Sequence, residues 1–337
     1  MRQFTAAALA ALAIGLFISS CSDDSSGPGG GDGGSFFGSS GSTGVQLLEN
    51  FSNRQVLPAD NWWNLDVSRA PVDPRSSSYI SWIGSGQRLH PDMAPPPWGI
   101  PYIGVSSNQP LSRVTFTSYG HESDAGAGYP IPDQAKNKQN YIENAAAGGH
   151  TSGDRHMLLI DRDRWILYEL YGTRWTGSRW EASSGAIFDL KSNRRRPDGW
   201  TSTDAAGLAV FPGLVRYDEV ASSAPIRHAL RVALRATNGH VWPASHTAGN
   251  NSSAPPLGTR LRLKASKDIS GYPPQVRKIF QAMKTYGLIV ADNGGNMYVT
   301  GTMDPRWDNG VLNPAFHSLH AGDFEVITLG WGSSMSR

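Results

Sequence analysis

The most regular hydrophobic patterning in the chain lies over residues 156–171. His156-Met157-Leu158-Leu159-Ile160 is followed by Asp161-Arg162-Asp163-Arg164, then by Trp165-Ile166-Leu167-Tyr168-Glu169-Leu170-Tyr171. Two apolar runs around a short polar break predict a β-hairpin. A symmetric turn centred on Arg162-Asp163 pairs Ile160 with Trp165, Leu158 with Leu167 and His156 with Glu169. Side chains alternate between faces, so these six residues share one face of the sheet. That apolar face ends in a His–Glu pair.

A second strand is predicted over Ile226–Arg235. Its period of two turns Ile226, His228, Leu230, Val232 and Leu234 inward and Arg227, Arg231 and Arg235 toward water. Further strands are expected at Gly185–Leu190, Leu261–Lys264, Gly287–Ala291, Met297–Thr300 and Phe324–Leu329. One helix is clear, over about 274–286. Pro273-Pro274 opens it, Val276, Ile279, Phe280, Met283 and Tyr286 repeat at helical spacing, and Gly287 ends it. Residues 45–110 are punctuated by proline and glycine and are expected to wrap the surface. Many short strands against one helix predict a mainly β fold, an antiparallel β-sandwich or β-barrel whose long loops carry any site.

The first residues change the picture of where this fold resides. One positive charge, an apolar run from Phe4 to Ile18 and then Ile18-Ser19-Ser20-Cys21 describe a signal peptide ending in a lipobox. Cys21 is the single cysteine, so an intrachain disulfide is excluded and acylation is its expected use. Residues 21–44 are rich in glycine and serine and read as a flexible tether. Residues 45–337 are expected to form a single β-rich domain. The implied location is the bacterial cell envelope, held by the lipid alone, at the outer membrane if the cell is Gram-negative. Removing residues 1–20 takes away only Arg2, lowering the formal net charge from +2 to +1. So small a charge argues against nucleic acid as a partner. A monomer acting on a polysaccharide or other glycan is expected, and an excess of tryptophan, 11 residues, suits sugar stacking as well as it suits a core.

Polar clusters beside the predicted strands supply candidate chemistry. None forms a nucleophile elbow, a phosphate loop or a paired-His zinc helix. His121, His156, His228 and His246 are too widely spaced to suggest a metal, and no cofactor is expected. A carboxylate pair for glycoside hydrolysis comes first, with Glu122 or Asp124 working with Asp204 and assisted by His156, Glu169 and His228. Such pairs stand roughly 5–5.5 Å apart in retaining enzymes and about 6.5–9.5 Å in inverting ones. Candidate substrate contacts are His121, Arg155, Trp200, Tyr217, His246, Asp292, Arg306 and Trp307. A polysaccharide lyase using histidine or Tyr217 as base is one alternative, and a non-catalytic glycan- or protein-binding lipoprotein is another.

The run Arg196-Pro-Asp-Gly-Trp-Thr-Ser-Thr-Asp-Ala-Ala-Gly, with Pro212-Gly-Leu-Val-Arg-Tyr-Asp-Glu-Val and Ile226-Arg-His-Ala-Leu, resembles a group of secreted bacterial proteins of unassigned function. Ala291-Asp-Asn-Gly and Asp304-Pro-Arg-Trp belong to the same resemblance, which covers most of residues 55–329 and implies one continuous domain without implying an activity.

Overall fold

The 156–171 segment folds as a hairpin, with its register displaced by two residues from the symmetric turn. In the computed structural model, which describes residues 44–52 and 54–333, Ile160 lies opposite Leu167 and Leu158 opposite Glu169. Asp161 causes the displacement. Its carboxylate accepts the amides of Asp163 and Arg164 at 3.0 and 2.9 Å, and its carbonyl accepts the amide of Trp165. Trp165 is thereby drawn into the turn at φ 58°, and its indole donates to the Val56 carbonyl instead of extending the ladder. A two-residue slip preserves side-chain parity, so the expected face survives. The expected His156–Glu169 pairing does not, and His156 meets the ring of Tyr171 instead, with centroids 5.3 Å apart.

In chain order the elements are β1 (Gln46–Leu47), α1 (Ser76–Ile83), β2 (His90–Asp92), β3 (Tyr102–Val105), β4 (Val114–Phe116), β5 (Met157–Asp161) and β6 (Ile166–Tyr171). They continue as β7 (Arg174–Trp175), β8 (Trp180–Ala182), β9 (Ser184–Asp189), α2 (Tyr217–Ala221), β10 (Leu230–Leu234) and β11 (Arg260–Leu263). The last are α3 (Pro274–Thr285), β12 (Leu288–Asn293), β13 (Tyr298–Thr300), α4 (Asn309–His317) and β14 (Phe324–Val326). The lipidation expected at Cys21, with nearly all of the tether, lies outside the described residues.

The fold is a β-rich sandwich rather than a closed barrel. A five-stranded sheet, β1-β3-β5-β6-β9, and a six-stranded sheet, β14-β11-β12-β10-β13-β2, contribute to one continuous core. Leu158, Ile160 and Leu167 come from the first, and Leu230, Val232, Val290 and Val299 from the second. Strand directions are mixed: β3 runs parallel to β5, β10 to β12 and β13 to β2. The alternate residues of the hairpin, Met157, Leu159 and Leu170, enter a second core closed by the three-stranded sheet β4-β8-β7. Burial on both faces explains why β5 is apolar at nearly every position.

The predicted helix is α3, which packs Val276, Ile279, Phe280 and Met283 into the main core. Three further helices escaped the periodicity. In α1, Ser76-Ser77-Ser78 has low helix propensity, and α4 carries Pro314. Residues 45–110 do more than wrap the surface: β3 is buried along its whole length between β1 and β5, and Trp63 is completely buried.

Candidate active site

The six-stranded sheet places four polar residues in a row on one face. Thr300 on β13 is in register with Asp92 on β2. Arg231, on β10, donates to Thr300 Oγ1 at 2.9 Å and to Asp292 Oδ2, on β12, at 3.2 Å. Asp292 reaches this face through a β-bulge. Val232 pairs with Val290, but the next residue, Ala233, pairs with Asp292, leaving Ala291 as the extra residue. Without that bulge Asp292 would take the parity of Leu234 and enter the core.

The bulge has a second consequence. The carbonyl of Ala291 accepts the amide of Ala206 at 3.0 Å, docking the 198–208 loop on the bulged end of β12. Asp204 organises that loop, its Oδ1 accepting the amides of Ala206 and Leu208 at 2.9 and 3.2 Å. Gly207 sits at φ +71°, where a Cβ would lie 2.1 Å from Ser245 Oγ and 2.6 Å from the Trp200 carbonyl. Asp204 Oδ2 is 3.9 Å from Arg231 Nη2. Arg231 therefore does not face water as its alternating pattern predicts: it is buried as the central cation of a carboxylate cluster.

The opposing sheet brings His156, just before β5, and Tyr171, at the end of β6. His156 Nδ1 lies 2.7 Å from Glu143 Oε2, and Nε2 lies 2.8 Å from the Thr203 carbonyl. Both partners can only accept, so both ring nitrogens carry hydrogen. Burial lowers the imidazole pKa, but the Glu143 charge and hydrogen bond outweigh it and hold the ring up at about 9. Glu143 is correspondingly held below the usual carboxylate range against its own burial. This ring is a fixed imidazolium at neutral pH. It cannot serve as a general base.

The carboxylates have different environments. Burial, reinforced by the Glu143 charge and opposed by Arg231, raises Asp92 to about 6. Burial raises Asp204 to about 8 against the pull of Arg231, with Asp292 and Glu169 adding to the rise. Asp292 is raised by burial and pulled back by Arg231. Asp154, exposed at the rim, accepts from the Tyr171 hydroxyl at 3.3 Å.

Of the expected site residues, His156, Asp204 and Asp292 meet here. Glu169 contributes only from beneath. It is fully buried and accepts from the Val210 and Phe211 amides and the Thr203 hydroxyl. Arg155 donates to the carbonyls of Thr151 and Gly153 in the adjoining loop. Glu122 and Asp124 do not pair with Asp204. Glu122 accepts the Thr201 amide at 2.8 Å, and Asp124 accepts the Ile187 amide at 2.9 Å and pairs with Arg196. Asp124 ties its loop to β9, and Glu122 ties the same loop to the 198–208 loop. His246 joins them, 3.9 Å from Glu122, and bonds the Ala205 carbonyl; His121 lies 3.1 Å from Glu122, and the Arg196 guanidinium lies over Trp200.

His228 belongs to another network. It precedes β10 rather than sitting within it, with Nε2 3.0 Å from Glu219 and Nδ1 2.8 Å from the Ala229 carbonyl. Glu219 also pairs with the fully buried Arg216. Tyr217 packs edge-on to Trp307 beneath Arg306, which pairs with Asp304. These contacts brace α2.

The residues missed by sequence reasoning are Asp92, Glu143, Tyr171, Arg231 and Thr300. Asp92 lies in the segment expected to wrap the surface, Glu143 in an unpatterned loop, and Arg231 in an alternation that ordinarily marks a wet face. Among the described residues no group of three or more His, Cys, Asp or Glu side chains is arranged to hold a metal ion. No protein-family model, curated protein or solved structure matches the chain.

Proposed function

We propose that this chain is a lipid-anchored envelope protein that hydrolyses glycosidic bonds, with Asp92 as general acid and Asp292 as the base that activates water. The observation that carries the reading is the single-face row of Asp92, Thr300, Arg231 and Asp292. Asp92, raised to about 6, keeps a proton to donate into slightly acidic surroundings, and Asp292, raised by burial, is pulled back toward its charged form by the Arg231 guanidinium beside it. The two are three strands apart, roughly 14 Å between Cα positions at ~4.8 Å per strand. Asp292 leans toward Arg231 on the intervening strand β10, and a pair set this far apart suits the wide spacing of inverting enzymes, about 6.5–9.5 Å, rather than the ~5 Å of retaining ones. Asp204 is too buried to touch a sugar and acts as a positioning residue.

A lyase is disfavoured by the same geometry. Its base would have to be His156, which is already doubly protonated, or Tyr171, whose hydroxyl is pushed up by burial and then by Asp154. The test is mass analysis of products, with proton NMR of the newly released anomeric centre, after incubating the full chain with neutral, amino and acidic polysaccharides. Fragments carrying one added water are expected, with inverted anomeric configuration. Asp92→Asn and Asp292→Asn should each slow cleavage by about 10²–10⁴-fold without unfolding the protein. Unsaturated uronic ends would establish a lyase. Binding without cleavage by any substrate would leave a glycan-binding lipoprotein.

A further inference from the structure

The charges in this cluster are segregated by depth. Its two cations face inward: Arg231 and His156 have side chains only 5% and 4% exposed, and each is engaged by carboxylates or carbonyls. The groups that solvent reaches are acidic. Asp154 is exposed, Asp92 is half-buried, and the Asp292 and Glu143 side chains are 30% and 17% exposed. The floor also retains unused polar capacity, since the buried Asp204 Oδ2 and Arg231 Nε have no hydrogen-bond partner among the described residues. A ligand entering from solvent therefore meets negative charge before it meets anything that could neutralise an anion.

Resting on the hydrolase reading, we propose that the site takes a cationic glycan, one whose hexosamine units carry free protonated amines, with Asp154 receiving the ammonium group while Asp92 keeps its proton for the glycosidic oxygen. A primary ammonium supplies three donors to carboxylates that the fold leaves facing outward. A uronate, sulfate or phosphate on the sugar would be repelled from the same mouth, and an N-acetyl group would bring no charge to repay desolvation of the acids.

The measurement is calorimetric binding of glucosamine tetramer, N-acetylglucosamine tetramer and galacturonate tetramer to the full chain carrying Asp292→Asn, so that binding is read without turnover. The amino tetramer should bind at least about tenfold tighter than the acetylated one, weaken with rising salt, and lose about three- to tenfold in affinity with Asp154→Asn added. Equal or tighter binding of the acetylated or uronate tetramer overturns the assignment. So does displacement of the amino tetramer by micromolar calcium, which would make the acids a metal site. Cleavage of a neutral glycan by the unmutated chain without amino-tetramer binding refutes this inference and leaves the hydrolase. Amino-tetramer binding with no cleavage of any glycan refutes the hydrolase and leaves this inference.

Discussion

His156 has no lone pair left with which to take a proton. Its stability contribution follows from that. An imidazolium whose pKa lies above its unfolded value stabilises fully below about pH 6.5 and loses its contribution as pH rises through about 9. The charged groups facing it are Glu143, Asp154 and Arg231. Thermal unfolding of the wild type should therefore show a falling Tm between pH 6 and 9.5. Glu143→Gln should cost about 2 kcal/mol at pH 6 and flatten that slope, and an unchanged slope would refute the pairing. Asp204 works in the same direction for the opposite reason. Its folded pKa, about 8, lies above the unfolded value near 4, so the unfolded state releases its proton first and stability falls as pH rises between them. Arg231, Asp292 and Glu169 are the charges acting on it. Asp204→Asn removes that penalty. It should raise Tm at pH 7.5 by the equivalent of about 1–2 kcal/mol and leave it unchanged at pH 4, a stabilisation typical of groups kept for function. Calorimetry at the two pH values decides. For Asp92, which faces Glu143, Arg231, Asp154 and His156, loss of the acid's proton should make kcat/KM fall about tenfold per pH unit above 6.

At the scale of elements, the bulge at Ala291 joins the β10–β12 pair to the 198–208 loop and fixes which face Asp292 takes. Gly207 lets the loop close against Ser245 and Trp200. Gly207→Ala forces a side chain into both a left-handed backbone and occupied space, so it should cost about 2 kcal/mol or more and lower activity. Native thermal stability with full activity would show that the loop does not position the cluster. The strands and α3 were legible because their apolar residues recur at periods of two and 3.6. Neither the bulge nor the hairpin slip was legible. A bulge leaves local composition unchanged, and the slip depends on Asp161 capturing two amides that a symmetric turn leaves to solvent.

At the scale of the molecule, two sheets enclosing a shared core bring β2, β10, β12 and β13 opposite the ends of β5 and β6. Among the described residues no helix is long and apolar enough to cross a membrane, and attachment is proposed to rest on Cys21. Cys21→Ser should move the protein from the membrane fraction to the soluble one, as fractionation would read directly, while retention in membranes would refute the lipid anchor. The amino-acid sequence by itself determined the β-rich class, the hairpin, the amphipathic helix and the inward face of β10, because each is written in local periodicity. The tertiary structure alone decided the site. Glu122, Asp124 and His228 stood out in sequence, yet the two carboxylates are engaged by nearby amides and the Arg196 guanidinium, and His228 by Glu219 and the Ala229 carbonyl. Arg231 looked like surface because an alternating strand says only that its faces differ, never which face another sheet will cover. Asp92 and Glu143, 51 residues apart in sequence, act on one another only because the fold brings a sheet edge and a loop together.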